Sequence, residues 1–423
     1  MYEVEFTLEA VTPIFMRGAD QTKAEIRAPS IKGLMRWWFR ALAGSYFGDD
    51  ISGLRKAEEF VFGSTGRRSR IIIEVDSPKL GKFDCKCDIN IKFDGKRKVY
   101  LLRPKVTLKT KAGGNYPAEI PNYLFFSVNM FIDEIARKTL EKILAGWGIR
   151  NQFKSKAQAK GVLSKKGLSM DDISKMFAEK FNKNVLEYYP PNTEFSIQLR
   201  SFGEREFKIA LLTLWASVVL GGFGFRSRRG AGSLAFAGGD LDVFENLGLS
   251  TSFKSPEDLG NSIRRAVKLA GELLNKNTTV RMASYPTLSE KTCCVALWDS
   301  GEKDVFGALK KFEGNYLRFR KNVSKPERII FGLPIKFGGR GVERIKDRLN
   351  ELKNARRASP MMVGVLKINE KPFLKIVKFR TSKFHYNNKI DEIANWKTLT
   401  KFDESIREIV VYGSKSIFEE VLP

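Results

Sequence analysis

The run IALLTLWASVVLGGFGF, Ile209 to Phe225, has no charged residue and ends in glycines. It is too short for a comfortable membrane span, which takes about 20 apolar residues, and a helix apolar around its whole circumference must be enclosed by protein. A helix from about Glu204 to Leu220 is therefore expected inside the fold. The alternating strand TEFSIQLRS (Thr193 to Ser201) precedes it and the short strand SLAFAG follows it. The same order stands at the beginning of the chain. Residues 2 to 11 alternate as a strand, RAPSIKGLMRWWFRAL (27 to 42) is an amphipathic helical stretch, and SRIIIEV (Ser69 to Val75) is a β-branched strand. Ser30 is placed to cap a helix from Ile31 to about Phe47.

Strand-helix-strand, an insertion, then strand-helix-strand is the order of a split βαβ sheet with two helices on one face. The expected class is α+β, with two ferredoxin-like (RRM-like) domains and a partly helical insertion in the first. The first domain covers residues 1-250, with the insertion at about 78-190. That insertion holds turns, a helical stretch near 129 to 145 and the basic segment RNQFKSKAQAKGVLSKKG, which reads as having mobile parts. The second domain, 251-423, opens with a linking helix at 255 to 277 carrying Pro256 in its first turn. TCCVALW follows as a strand, Asp304 to Lys321 as a helix, MMVGVLKI and FLKIVKF as strands, and Lys401 to Val421 as mostly helix. No clear internal repeat relates the two halves.

With 43% hydrophobic residues, including 32 Phe, the chain can bury a core. Against 74 Lys and Arg stand 48 Asp and Glu, a formal net charge of +26. Heat adaptation enriches Lys and Glu together, whereas this imbalance points to a polyanion, nucleic acid first. MYEVEFTLEA is not a signal peptide, so a cytoplasmic location with no membrane association is expected. Cys85 with Cys87, and Cys293 with Cys294, lack the spacing of zinc or redox motifs. Neither a metal nor another cofactor is expected.

Within the opening helix, about 100° per residue puts Lys32, Arg36 and Arg40 on one stripe opposite Ile31, Leu34, Met35, Trp38 and Leu42. Trp38 reads as core and Trp37 as a border residue. Three cations at successive turns without an interleaved acid repel one another unless an anion lies along them. Arg27 and the free N–H groups of the first turn extend that surface.

GGFGFRSRRGAGS, Gly221 to Ser233, follows a helix and precedes a strand. It has neither the Gly-Lys-Ser/Thr of a Walker A loop nor the strand-first context of a dinucleotide fingerprint, so ATP and NAD lose support. GFGF departs from the aromatic RNA-recognition signature because Arg226 and Arg228 occupy the next key places. What remains is a phosphate cradle: Gly222, Gly224, Gly230 and Gly232 let backbone approach a ligand, while Arg226, Arg228 and Arg229 supply forked donors.

These stretches resemble the RAMP superfamily, the ferredoxin-like RNA-binding proteins of CRISPR systems, which carry such a Gly-rich loop between the last helix and the last strand. RAPSIKGLMRWWFRAL, FGFRSRRGAGS, FGLPI (Phe331 to Ile335) and RRASPMMV (Arg356 to Val363) are more narrowly similar to the first-subunit family of type III-B Cmr effector complexes. That resemblance implies a non-catalytic subunit at the head of a ribonucleoprotein, near the 3′ part of the guide RNA. Its implied partners are CRISPR guide RNA, target RNA and other Cmr subunits. Arg27, Lys32, Arg36 and the Gly221 to Gly232 loop would be RNA contacts, and Arg356 and Arg357 the second domain's counterpart. A strand-leading turn with solvated arginines is the competing reading of that last pair.

Two alternatives stay open: a metal-independent endoribonuclease processing CRISPR RNA, using the single histidine, His385, with Tyr or Lys; and a ribosome-associated or other general RNA binder. Asp49 with Asp50 and Asp171 with Asp172 are adjacent acids that do not share a helix face, so they make poor metal sites.

Overall fold

The computed structural model describes the chain apart from residues 21–22, 77, 79–80, 83, 112–116, 120–123, 125, 184–186, 281, 325–326, 332–358, 383–395 and 420–423. It forms two compact units, one of residues 1–15, 26–78 and 192–423, the other of 16–25 and 79–191.

The larger unit holds two four-stranded sheets. In the first, β1 (Tyr2–Ala10), β2 (Ile71–Val75), β8 (Glu194–Ser201) and β9 (Leu234–Gly239) lie in the order β2-β8-β1-β9, all neighbours antiparallel. Alternation sets the register: Val4, Phe6 and Leu8 face Leu199, Ile197 and Phe195, and all six are buried. Helices α1 (Ala28–Phe47) and α6 (Glu204–Val219) pack on this sheet, and α2 (Ile51–Phe62) packs on both helices. As the uncharged run requires, α6 is buried almost throughout, with Trp215 fully enclosed and its indole donating to the Ser250 carbonyl at 2.8 Å. No helix among the described residues is long and apolar enough to cross a membrane.

Helix α1 begins three residues earlier than expected. Arg27 is the N-cap, Pro29 sits in the first turn where its missing N–H costs nothing, and Ser30 is inside the helix rather than capping it. The linking helix α8 (Pro256–Leu274) is held by a capping box between Ser255 and Asp258, and packs on α1 and α6.

The second sheet contains β10 (Cys293–Trp298), β11 (Met361–Ile368), β12 (Lys371–Phe379) and β13 (Ile409–Tyr412), ordered β11-β12-β10-β13 and again antiparallel. Numbered within each sheet, both follow the order 2-3-1-4. Helix α9 (Val305–Asn322) lies between the first two strands in sequence, and α10 (Lys397–Ile406) between the last two. The expected C-terminal helix is thus corrected: Arg407 takes φ 53°, ending α10, and Ile409, Val410 and Val411 continue as an edge strand. β10 is buried along its whole length, so both of its faces are covered.

In the smaller unit a long hairpin, β4 (Asp84–Asp94) with β5 (Val99–Lys111), is extended by β6 (Pro117–Glu119), while β3 (Gly81–Lys82) pairs with β7 (Glu187–Tyr188). Helices α3 (Phe126–Gly146), α4 (Lys156–Lys165) and α5 (Met170–Lys183) accompany it. The basic segment is not a loose loop: Phe153 bridges to Tyr100, Asn151 exchanges hydrogen bonds with Leu102, and Ser155 caps α4.

Candidate nucleic-acid interface

The glycine-rich loop leaves α6 and returns into β9 along a path fixed by both sheets. Phe223 N–H donates to the Gly232 carbonyl at 2.7 Å, closing the loop on itself, and Phe225 N–H donates to the Phe15 carbonyl. Gly232 N–H reaches Pro13. Gly230 N–H then donates to Val363 at 2.8 Å and Val363 N–H to Arg228 at 3.1 Å, so Arg229 forms a parallel bridge with β11. Two motifs more than 130 residues apart are thereby stitched together.

The glycines have backbone reasons of their own. Gly232 takes φ 63° and a Cβ there would run into the Phe223 carbonyl; Gly230 takes φ 94° with a Leu309 methyl 2.5 Å from where a Cβ would sit. Gly222 lies against the Gly232 carbonyl and Gly224 also has positive φ. Glycine content therefore follows from the loop's geometry, and the arginines carry the chemical signal.

Arg228 lies over the Trp37 ring at 5.0 Å, joining the loop to α1. Trp37 is half-buried and meets Trp38 and Phe379 edge-on, while Trp38 is core. Arg229 donates to the Phe331 carbonyl at 3.0 Å, at the first residue of FGLPI, and lies over the Tyr316 ring. Arg226 adopts φ 64°. Burial, then the charge of Arg229, pushes Arg226 down to about 10, and the same two causes lower Arg228. Among the described residues, no carboxylate forms an ion pair with Arg228 or Arg229. Arg228 and Arg229 therefore hold half-buried guanidinium charge with no carboxylate ion pair among the described residues.

The α1 stripe differs from its expectation, because an acid does reach it, from α2. Glu58 binds Arg40 Nε at 2.5 Å and Arg36 Nε at 3.3 Å, and Arg36 also donates to the Gly63 carbonyl. Sequence spacing on α1 alone could not place a carboxylate from another helix. Lys32 keeps no ion pair among the described residues; burial and the neighbouring Arg36 lower its pKa. Arg27 caps α1. Arg356, Arg357 and His385 lie outside the described residues; Val363, the last residue of RRASPMMV, is the one bridged to Arg229.

One further residue had no sequence signal beyond standing in an apolar strand. Lys375, 1% exposed on β12, donates its ammonium to the Val219 and Val218 carbonyls at 2.6 and 3.3 Å, at the C-terminal end of α6 from which the loop springs. Burial pushes its pKa down to about 7.

The RAMP superfamily model matches residues 7–235, and the model described as Cmr1-like, C-terminal, matches residues 295–412. The CRISPR system Cmr subunit Cmr1-1 of Pyrococcus furiosus is 35% identical over 411 residues, 95% of each chain. The chain belongs to the Cmr1-like family of the RAMP superfamily. A second Pyrococcus furiosus protein of the family, Cmr1-2, is 37% identical over 236 residues, which is 55% of this Cmr1-like chain and 95% of that one. The crystal structure of Cmr1 from Pyrococcus furiosus in its apo form superposes with a TM-score of 0.58 at 31% identity, covering 98% of this chain and 99% of that one. The Cmr1-like fold thus extends across both sheets and the insertion.

Proposed function

We propose that the chain is a non-catalytic RNA-binding subunit of a cytoplasmic type III-B CRISPR (Cmr) ribonucleoprotein in antiviral defence. It contacts guide RNA, target RNA or both near the 3′ end of the guide, alongside other Cmr subunits. Its two sheets are read as ferredoxin-like domains, 1-250 with the insertion at about 78-190, and 251-423, each with strand order 2-3-1-4. The observation that carries the reading is the clustering of Arg226, Arg228 and Arg229 on one loop, with Arg228 over the Trp37 ring and Arg229 over the Tyr316 ring, and with no carboxylate ion pair on Arg228 or Arg229 among the described residues. An RNA backbone supplies the missing negative charge, and unstacked bases suit the aromatic surface. In this revised surface Arg27, Lys32 and the loop form the primary contacts. Arg36 and Arg40 contribute only as far as RNA phosphates compete with Glu58. Arg356 and Arg357, outside the described residues, are read as further RNA contacts from the second domain.

Isolation of the native protein with its bound RNA tests this. Co-purified CRISPR-derived RNA with other Cmr subunits is expected, and ribosomal RNA with ribosomal proteins would overturn it. Incubation with repeat RNA in EDTA should leave the RNA intact. Discrete products that disappear in His385→Ala would instead establish the endoribonuclease alternative.

A further inference from the structure

Between Glu141 and Asp171 the insertion carries seven cations and no acid. Arg150, Lys154, Lys156, Lys160, Lys165 and Lys166 are all exposed, and none takes part in an ion pair among the described residues. Several neighbouring acids are already engaged, Glu134 with Lys138, Glu141 with Arg137, Asp94 with Arg103, and Asp172 with Ser169 at the start of α5, while the exposed Asp171 forms no ion pair with the block among the described residues. Local pairing thus leaves a block of positive charge on one segment of this unit.

An aromatic side chain stands in the same block. Trp147 is 41% exposed, unlike the enclosed Trp38 and Trp215. It stands at the C-cap of α3 within a closed turn: Ile149 N–H donates to Leu144 at 2.8 Å and Gly148 N–H to Ala145 at 3.0 Å, the paired bonds of a Schellman cap. α4 ends identically, Leu168 N–H donating to Leu163 and Gly167 N–H to Ser164, with Lys166 in the place that Trp147 holds on α3. The two caps are neighbours, since Lys166 Nζ lies 4.0 Å from the position a Cβ would take on Gly148. Buried Ile149 and Leu168 anchor both turns beneath. An indole left exposed on a fixed turn, with an ammonium beside the glycine that follows it, is a combination that suits a single strand: a π-face for a base and cations for its flanking phosphates.

We propose that the insertion unit carries a second RNA contact, separate from the glycine-rich loop, in which Trp147 stacks on a base of single-stranded RNA and Arg150, Lys165 and Lys166 hold the adjacent phosphates. The inference rests on the RNA-binding reading above but uses none of its residues.

The test uses the complete reconstituted ribonucleoprotein with guide and target RNA carrying 4-thiouridine. Ultraviolet crosslinks mapped by peptide should fall on 142–168, persist in the loop variant Arg226→Gln/Arg228→Gln/Arg229→Gln, weaken severalfold in Trp147→Ala and return in Trp147→Phe. Arg150→Gln/Lys165→Gln/Lys166→Gln should lower the log–log salt slope by about 2, from about 0.7 per phosphate contact on a single strand. All four side chains are solvent-facing, so circular dichroism and melting temperature should not move. Crosslinks at the loop but none at 142–168, with an unchanged slope, would overturn this inference and leave the loop reading standing. Crosslinks at neither would overturn both. Release of another subunit by the insertion variant, with RNA contacts unaltered, would assign the surface to a protein partner and likewise overturn the inference.

Discussion

Replacing Lys375 by methionine separates burial from charge at the root of the loop. The side chain is enclosed and its pKa is lowered from 10.5 to about 7 by desolvation. In the folded state the amine is largely neutral above pH 7, whereas in the unfolded chain it stays protonated to about pH 10.4. Between those values the unfolded state binds the extra proton, so stability rises with pH across the window. At 1.36 kcal/mol per unit the full effect approaches about 5 kcal/mol, and about 2 to 3 kcal/mol of it falls between pH 7.5 and 9.5. Lys375→Met retains the apolar stem but leaves the Val218 and Val219 carbonyls without this donor. That adds a cost of about 1 to 3 kcal/mol that does not depend on pH. The slope, rather than the offset, is therefore decisive. Urea unfolding of both proteins at pH 7.5, 8.5 and 9.5 should show the native chain gaining on the variant as pH rises. Parallel curves would refute the reasoning and mean that the carbonyls and the negative end of α6 keep the ammonium charged.

Glu58→Gln should free Arg36 and Arg40 and, if RNA lies along α1, tighten binding severalfold at low salt and steepen the salt slope by up to about 1.4; an unchanged slope would remove these two residues from the contact surface. Gly232→Ala, which places a methyl against the Phe223 carbonyl at φ 63°, should cost on the order of 2 to 4 kcal/mol in thermal or urea unfolding, and a neutral result would contradict the closed-loop geometry.

Much of the framework was legible because its strands alternate and α6 does not. Val4, Phe6 and Leu8 mark one sheet face by period two, and the uncharged circumference of α6 demands burial. In the β4–β5 hairpin, β4 alternates cleanly (Cys85, Cys87, Ile89, Ile91 and Phe93 between polar residues), but β5 breaks the period at Leu101-Leu102 and carries Pro104, so the pairing was not legible. β13 escaped because it is only four residues long, set between a helix end and a turn. At the site, the arginines and Trp37 could be named from sequence, but their mutual contact could not. Glu58, Val363 and Lys375 come from other elements, and each acts through a tertiary contact with no periodic signature.

The most direct measurement is the salt dependence of RNA binding by the reconstituted complex, with native subunit and with Arg226→Gln/Arg228→Gln/Arg229→Gln. Three phosphate contacts on a single strand contribute about 2 to the log–log slope, so the variant should bind more weakly and with a slope shallower by about that amount. Equal affinity and equal slope would contradict the claim that this loop receives the RNA backbone.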